Sequence, residues 1–282
     1  MISLIDKITS KTDNTIKYVF KFGNVISEIS YINKNDGKDI ICSPTQTSCN
    51  MGCKFCHLTG LKIPAVNIYN QTIFDMIKHV ADDIENKHDT LLISYMGAGE
   101  PLLNIDGIIQ SAMKVYDEFS GKYKNIRFAV ASIIPRREYM ERFMDEVKDS
   151  GLDFKFHLSL HFLDENRKEL MPAAINATEA INLLDKYSNY VGKTEIHYTL
   201  VDCKNDSRMH ADNLIKNIKG INTTVKLLQF SDKTGVDLKR SQKEDKFAEY
   251  LNKVNIKTEI YDPPGRDIGA SCGQFNVGDY NV

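Results

Sequence analysis

Two periods run through the chain. From 15 to 42 the segments TIKYVFKF, VISEISYI and DIIC alternate or run apolar, with Gly23-Asn24 and Asp36-Gly37 at the breaks, which predicts strands joined by turns. Beyond about residue 70 the pattern becomes strand then helix, repeated. Ile73, Met76, Ile77, Val80 and Ile84 recur at helical spacing and predict a helix over 71–87. TLLISYM at 90–96 reads as a buried strand, followed by a Gly-rich loop and a helix at about 104–119. Further strands are predicted at 126–131, 153–160, 194–201 and 223–230, and helices at 136–149, 173–189, 207–218 and 241–254. A last strand near 256–261 leads into a Pro/Gly-rich tail.

This alternation implies an α/β fold with a parallel sheet and crossover helices. Counting the strand before Cys49, about six βα units are available, too few for an eight-fold barrel and enough for a partial (β/α)6 one. No linker divides residues 41–282, so the chain reads as one catalytic domain at 41–282 behind a β extension at 1–40. In such folds the chemistry sits at the carboxyl ends of the strands.

Composition narrows the class. The 282 residues are 42% hydrophobic and 26% charged, ordinary globular values that exclude disorder and low complexity. A chain of this length buries roughly three-quarters of its unfolded surface and needs no disulfides to hold a core. No apolar run reaches membrane-spanning length, and Asp6 and Lys7 interrupt any signal-like start, so a cytoplasmic protein without membrane contact is expected. The net charge of -2 argues against a general nucleic-acid coat. It leaves room for a local basic patch, and Lys122, Lys124, Arg127, Arg136 and Arg137 are candidate phosphate contacts beside the simpler reading of a solvated face.

The cysteines carry the strongest signal. Cys49, Cys53 and Cys56 lie within eight residues, with Gly52 to let the loop turn, so three sulfurs can surround one compact metal centre. Three thiolates on an iron–sulfur cluster would leave one iron open for a small molecule. A zinc site completed by His57 is the alternative, but no second CxxC knuckle exists. Two glycines in MGAGEPLLN, after the strand at 90–96, let a ligand approach the backbone, and Glu100 offers an acceptor for an ammonium group. HLSLH ends another predicted strand, with Ser159 and His161 on one face and Arg167 and Leu170-Met171-Pro172 following. Asn205 ends the next strand, where a helix-entry role is the ordinary one. Cys203 reads as a partly buried structural thiol. Spacing alone would leave Cys42 and Cys272, 230 residues apart, as inert thiols.

The CxxxCxxC loop, with Phe55 before its last cysteine, resembles the cluster loop of the radical SAM superfamily. CSPTQ at 42–46, GEPLLN, SLH with the downstream LMP, Asn205-Asp206 and DIGASCGQ at 267–274 together resemble the RlmN/Cfr-type radical SAM RNA adenosine methyltransferases, from about residue 13 to 282. The resemblance implies a partial (β/α)6 radical SAM barrel whose Cys49, Cys53 and Cys56 hold a 4Fe–4S cluster. It places Gly99, Glu100, Ser132, Ser159, Leu160, His161 and Asn205 on S-adenosyl-L-methionine. It makes Cys272 the methyl-carrying cysteine, Cys42 its resolving partner through a transient disulfide, and Glu28 the proton acceptor. It implies methylation of a ring carbon of adenosine, C2 before C8, in rRNA or tRNA, with an electron donor such as flavodoxin or ferredoxin. The family's N-terminal helical domain has no counterpart in the dozen residues ahead of the extension, so a compact member is expected. An activase that raises a glycyl radical on a partner protein is the competing enzyme class. It needs neither Cys42 nor Cys272. A zinc-stabilised binding module is the non-enzymatic one.

Overall fold

The structure, a computed structural model, describes residues 2–33, 36–231, 236–271 and 274. One sheet organises it, with its strands in sequence order throughout. β1 (Ser3–Thr9), β2 (Ile16–Phe22), β3 (Val25–Asn33) and β4 (Lys38–Cys42) form an antiparallel meander. From β4 onward pairing is parallel, through β5 (Thr90–Tyr95), β6 (Asn125–Ser132), β7 (Phe154–Ser159), β8 (Lys193–Leu200), β9 (Thr224–Gln229) and β10 (Thr258–Tyr261). Helices cross between the parallel strands: α1 (Asn70–Asp83), α2 (Ile105–Phe119), α3 (Arg137–Ser150), α4 (Glu165–Leu170) with α5 (Ala177–Lys186), α6 (Arg208–Ile218) and α7 (Glu244–Lys253). The result is a mixed α/β partial barrel. The division drawn at 40/41 falls within β4.

Strand alternation explains where the core lies. On β6, Phe128 and Val130 are fully buried against the helices, while Ala129 and Ala131 face the hollow of the sheet. On β8, Ile196, Tyr198 and Leu200 face the helices while Lys193, Glu195 and His197 face inward. The hydrophobic core is thus the layer between sheet and helices, where each buried aliphatic or aromatic side chain contributes about 1.5–3 kcal/mol. The sheet's concave interior is left polar. Ile73, Met76, Ile77 and Val80 form the buried stripe of α1, as their spacing requires.

Three local features depart from the sequence reading. β1 was not anticipated, because as an edge strand with mostly exposed residues it carries no period-two signal. The helix expected at 173–189 begins only at Ala177, where Asn176 accepts the Glu179 N–H at 2.8 Å. A short helix, α4, precedes it, capped by Asp164.

The tail crosses from β10 to the start of the meander. Asp13 accepts the Gly265 N–H at 2.8 Å. Asp267 accepts from the Ser10 hydroxyl and the Lys11 N–H, each at 2.8 Å. Arg266 reaches back to the Ser231 hydroxyl at 3.0 Å. Residues 10–15 and 262–271 thereby form a clasp beside the mouth of the partial barrel.

Candidate active site

The loop after β4 carries the three clustered cysteines. The Cys56 N–H donates to the Cys53 carbonyl at 3.0 Å and the Thr59 hydroxyl to the same oxygen at 2.6 Å, which closes the loop on itself. The Lys54 N–H donates to the Leu170 carbonyl at 2.9 Å and docks the loop on the end of α4. Gly52 turns at φ +70°. Cys49, Cys53 and Cys56 line one cavity of about 170 Å³ with Phe55, Met96, Gly99, Glu100, Ser159 and His161.

The chemistry of this pocket fits a cationic metal centre. Burial pushes the Cys49 thiol up to about 12 and moves Cys53 further in the same direction. Buried thiolates so close together need a compensating cation, and a cluster that takes three of them supplies it. The buried Arg167 guanidinium opposes the rise at Cys53.

The loop after β5 is packed to backbone contact. A Cβ on Gly97 would lie 2.7 Å from the Pro44 nitrogen, and one on Gly99, at φ +107°, 2.7 Å from the Gln46 side chain. No larger residue fits either position without displacing the cysteine-loop strand end. Glu100 is buried, accepting from the Leu102 N–H at 3.0 Å, the Ser132 hydroxyl at 2.6 Å and the Ile133 N–H at 3.3 Å. Burial raises its pKa to about 7 against the pull of those three donors.

β7 ends in a strained turn. His161 sits at φ +50°, accepts the Thr199 N–H on Nδ1 at 3.2 Å, and meets Phe55 edge to face with centroids 5.4 Å apart. Burial drives its pKa down to about 3, so it is neutral. Asn205 is fully engaged: it donates to the His161 and Thr199 carbonyls at 2.7 Å each and accepts from the Val201 N–H at 2.8 Å. Helix entry falls instead to Ser207, which caps α6 with His210.

The structure brings Gly99, Glu100, Ser159 and His161 onto the same cavity wall as the cysteines. Ser132, Leu160 and Asn205 stand behind that wall, at 1%, 0% and 1% exposure, and Ala131 takes the inward position on β6. Sequence reading passed over the role of Arg167. Its guanidinium donates to the carbonyls of Ile133, Ser159, Leu160 and Ile175 and so ties together the ends of β6 and β7. A lone arginine after HLSLH carries no pattern that would have revealed this.

A second cavity of about 380 Å³ fills the concave interior. Glu28, Cys42, Ser94, Met96 and Gly97 line it, together with Ala270 and Ser271 of the tail. Glu28 faces Lys17 in a buried ion pair at 3.5 Å. Cys42 is half-buried. Cys272 lies outside the described residues. Cys203, expected to be partly buried, is exposed, because it occupies a positive-φ turn beyond β8. The basic group divides: Lys122, Lys124 and Arg127 sit at the amino end of β6, Arg136 and Arg137 beyond its carboxyl end, and among the described residues all but Arg136 are in ion pairs.

These features define a radical SAM enzyme. Residues 43–214 match the family model described as the Radical SAM superfamily. The cofactors are accordingly a 4Fe–4S cluster and S-adenosyl-L-methionine, and the cysteine loop fits the cluster motif. The chain belongs, more closely, to the RlmN family. It is 33% identical to a probable dual-specificity RNA methyltransferase RlmN of Clostridium botulinum (strain Eklund 17B / Type B), over 94% of this chain and 76% of that protein. It is 32% identical to the protein of the same description from Clostridioides difficile (strain 630), over 95% and 78%. Its fold is that of a radical SAM methyltransferase from Sphaerobacter thermophilus, with a TM-score of 0.85, 21% identity, and coverage of 98% of this chain and 81% of the other.

Proposed function

We propose that this chain methylates a ring carbon of adenosine, C2 rather than C8, in rRNA or tRNA, through a methylated Cys272. Membership of a family whose curated members are described as RNA methyltransferases supports the substrate class. One observation carries the mechanism. Glu28 and Cys42 share a cavity with Ser271, the residue before Cys272, and that cavity meets the cysteine pocket at Met96 and Gly97.

In this reading Cys49, Cys53 and Cys56 hold the cluster, which when bound supplies the electron for reductive cleavage of S-adenosyl-L-methionine. Gly99 opens the backbone to that molecule, Glu100 accepts from its amino group, and Ser159 and His161 close the wall. Ser132, Leu160 and Asn205 position this wall from behind. Cys272, as thiolate, accepts a methyl group from a first S-adenosyl-L-methionine. The radical supplied by reductive cleavage of a second S-adenosyl-L-methionine would take one hydrogen from that S-methyl group, and the carbon radical left on Cys272 would add to the electron-poor adenine carbon, which ordinary methyl displacement cannot reach. Glu28 would take the ring proton, and Cys42, giving up its own proton, would attack the Cys272 sulfur, breaking the sulfur–carbon bond and leaving a disulfide, while the released carbon gains a proton and the odd electron returns to the cluster. The extension at 1–40 carries Glu28 and the catalytic domain at 41–282 the rest. A flavodoxin or ferredoxin supplies electrons in the cytoplasm. No helix among the described residues is long and apolar enough to cross a membrane.

The test is peptide mass spectrometry of cluster-loaded protein given S-adenosyl-L-methionine, followed by nucleoside analysis of tRNA and rRNA. A methyl group on Cys272, and methyladenosine that disappears in Cys272→Ala, are expected. An unmodified Cys272 in loaded protein would refute the mechanism, and Cys42→Ala with undiminished turnover would remove the resolving role.

A further inference from the structure

The lower half of the interior cavity, toward the amino ends of the strands, has a charge arrangement that the methyl transfer does not use. Lys155 on β7 and Lys193 on β8 are direct cross-strand partners, and both line the cavity. Like charges placed opposite each other destabilise a sheet. Lys226 on β9 joins them. One carboxylate, Glu195, stands among the three and pairs with two of them: Lys193 reaches it at 2.6 Å and Lys226 at 2.9 Å. The Lys155 side chain makes no hydrogen bond or ion pair among the described residues, and burial lowers its pKa against the attraction of Glu195.

The other charges on the wall are matched elsewhere. Glu28 pairs with Lys17, Asp36 with Lys38, and Glu259 with Lys257. Three ammonium groups against one carboxylate leave two positive charges uncompensated. Above them, His157 Nδ1 and His197 Nε2 share a hydrogen bond at 2.7 Å. His157 Nε2 is buried with no hydrogen-bond partner among the described residues. When His197 donates in that bond, the orphan atom is an N–H donor.

We propose that this half of the cavity is an anion site that takes a phosphate group, with Lys155, Lys193 and Lys226 supplying charge and His157 a buried N–H. A phosphate dianion matches the excess of two and gives Lys155 the partner it lacks. His157, Glu195 and His197 could instead ligate a metal, since their ligand atoms lie within 4.8 Å of one another. Electrostatics disfavours that occupant, because Glu195 is already held by two ammonium groups and a divalent cation would add to the excess. The site lies across the cavity from Cys42, three and four strands away along one row of register partners, Cys42, Ser94, Ala129, Lys155 and Lys193. It stands whether or not the chain methylates RNA.

The test is anaerobic calorimetry of the cluster-loaded protein with inorganic phosphate, then AMP, against chloride at matched ionic strength. Saturable binding of one phosphate per chain is expected, weakened at least about tenfold in Lys155→Met and recovered in Lys155→Arg. Lys155→Met should also melt no lower than the parent without phosphate, because it removes an unpaired ammonium, and should lose the phosphate-induced rise in Tm. An RNA oligonucleotide that displaces phosphate identifies the group as part of the RNA backbone. Phosphate that stays bound identifies a free phosphate ester. No saturable binding, or equal binding by Lys155→Met, overturns the proposal. So does uptake of one zinc that is lost in His157→Ala and indifferent to Lys155.

Discussion

Replacing Arg167 with Met tests how the wall of the cysteine-lined pocket is held. The guanidinium is 3% exposed and donates to four carbonyls on two strand ends and their loops, at 2.8 Å to Ile175 and 3.2 Å to Ile133 among them. Hydrogen bonds from a charged donor are worth about 1.5–3 kcal/mol each, so the gross loss is about 6–12 kcal/mol. Burying the guanidinium costs several kcal/mol, which the substitution recovers. Burial lowers its pKa to about 10, consistent with that cost. The net loss is then about 3–5 kcal/mol, a large share of the usual 5–15 kcal/mol of a folded domain. At a urea slope of about 3 kcal/mol per molar, the unfolding midpoint should fall by about 1–1.7 M. Arg167→Lys keeps the charge without the fork and should lose roughly half as much. The assay is anaerobic urea unfolding followed by circular dichroism, with iron content measured in parallel. A Met variant within about 0.2 M of the parent would show that the four carbonyls are satisfied without the guanidinium, and the reasoning would fail.

Three further outcomes follow from the same geometry. Glu100→Gln keeps an acceptor for Leu102 and Ser132 but removes the charge, so affinity for S-adenosyl-L-methionine should drop about tenfold with iron content unchanged, by equilibrium dialysis. His157 and His161 are pushed down to about 3 and His197 well below its usual value, all by burial. Their neutral forms therefore support the fold above pH 6.5, and that support is lost as pH falls from 6.5 toward 3, by up to about 1.4 kcal/mol per pH unit for each. Urea midpoints at pH 7 and pH 5 should differ accordingly, and a flat profile would refute it. Gly99→Ala forces a Cβ at φ +107° into the Gln46 side chain and should cost about 2–4 kcal/mol with loss of cofactor binding, read by thermal unfolding and dialysis.

Sequence legibility tracked the physical origin of each signal. The α1 stripe and the buried strands announce themselves because half their positions face one apolar layer. The cysteine loop is legible because a metal centre demands several ligands at short spacing, and the structure does place all three cysteines on one wall. Ser132 shows the limit: a one-residue change of strand parity decides whether a side chain faces the cavity or its back, and here Ala131 faces it. Arg167 was illegible because its partners are backbone carbonyls of any residue type. The interior lysines were illegible because their conflict arises only when β7 and β8 align. The basic group looked like one patch because chain proximity hides the length of β6, which carries its members to opposite ends of a strand.

The order of the strands gives the clasp a meaning in assembly. Every hydrogen-bonded neighbour in the sheet is also a neighbour in the chain, so each strand can add to the last across a hairpin or a single helical crossover. The contacts of Asp13 and Asp267 span nearly the whole chain, joining residues 252–257 positions apart. In an open chain that closure is entropically expensive, and it becomes cheap only when the intervening strands have brought the two segments together. Loop-closure entropy therefore predicts that the clasp forms late in folding, seating Ser271 on the interior cavity after the sheet between is complete. A molecule whose sheet has failed to finish would leave the tail undocked, so completion of the barrel is what brings Ser271 to the wall of the interior cavity.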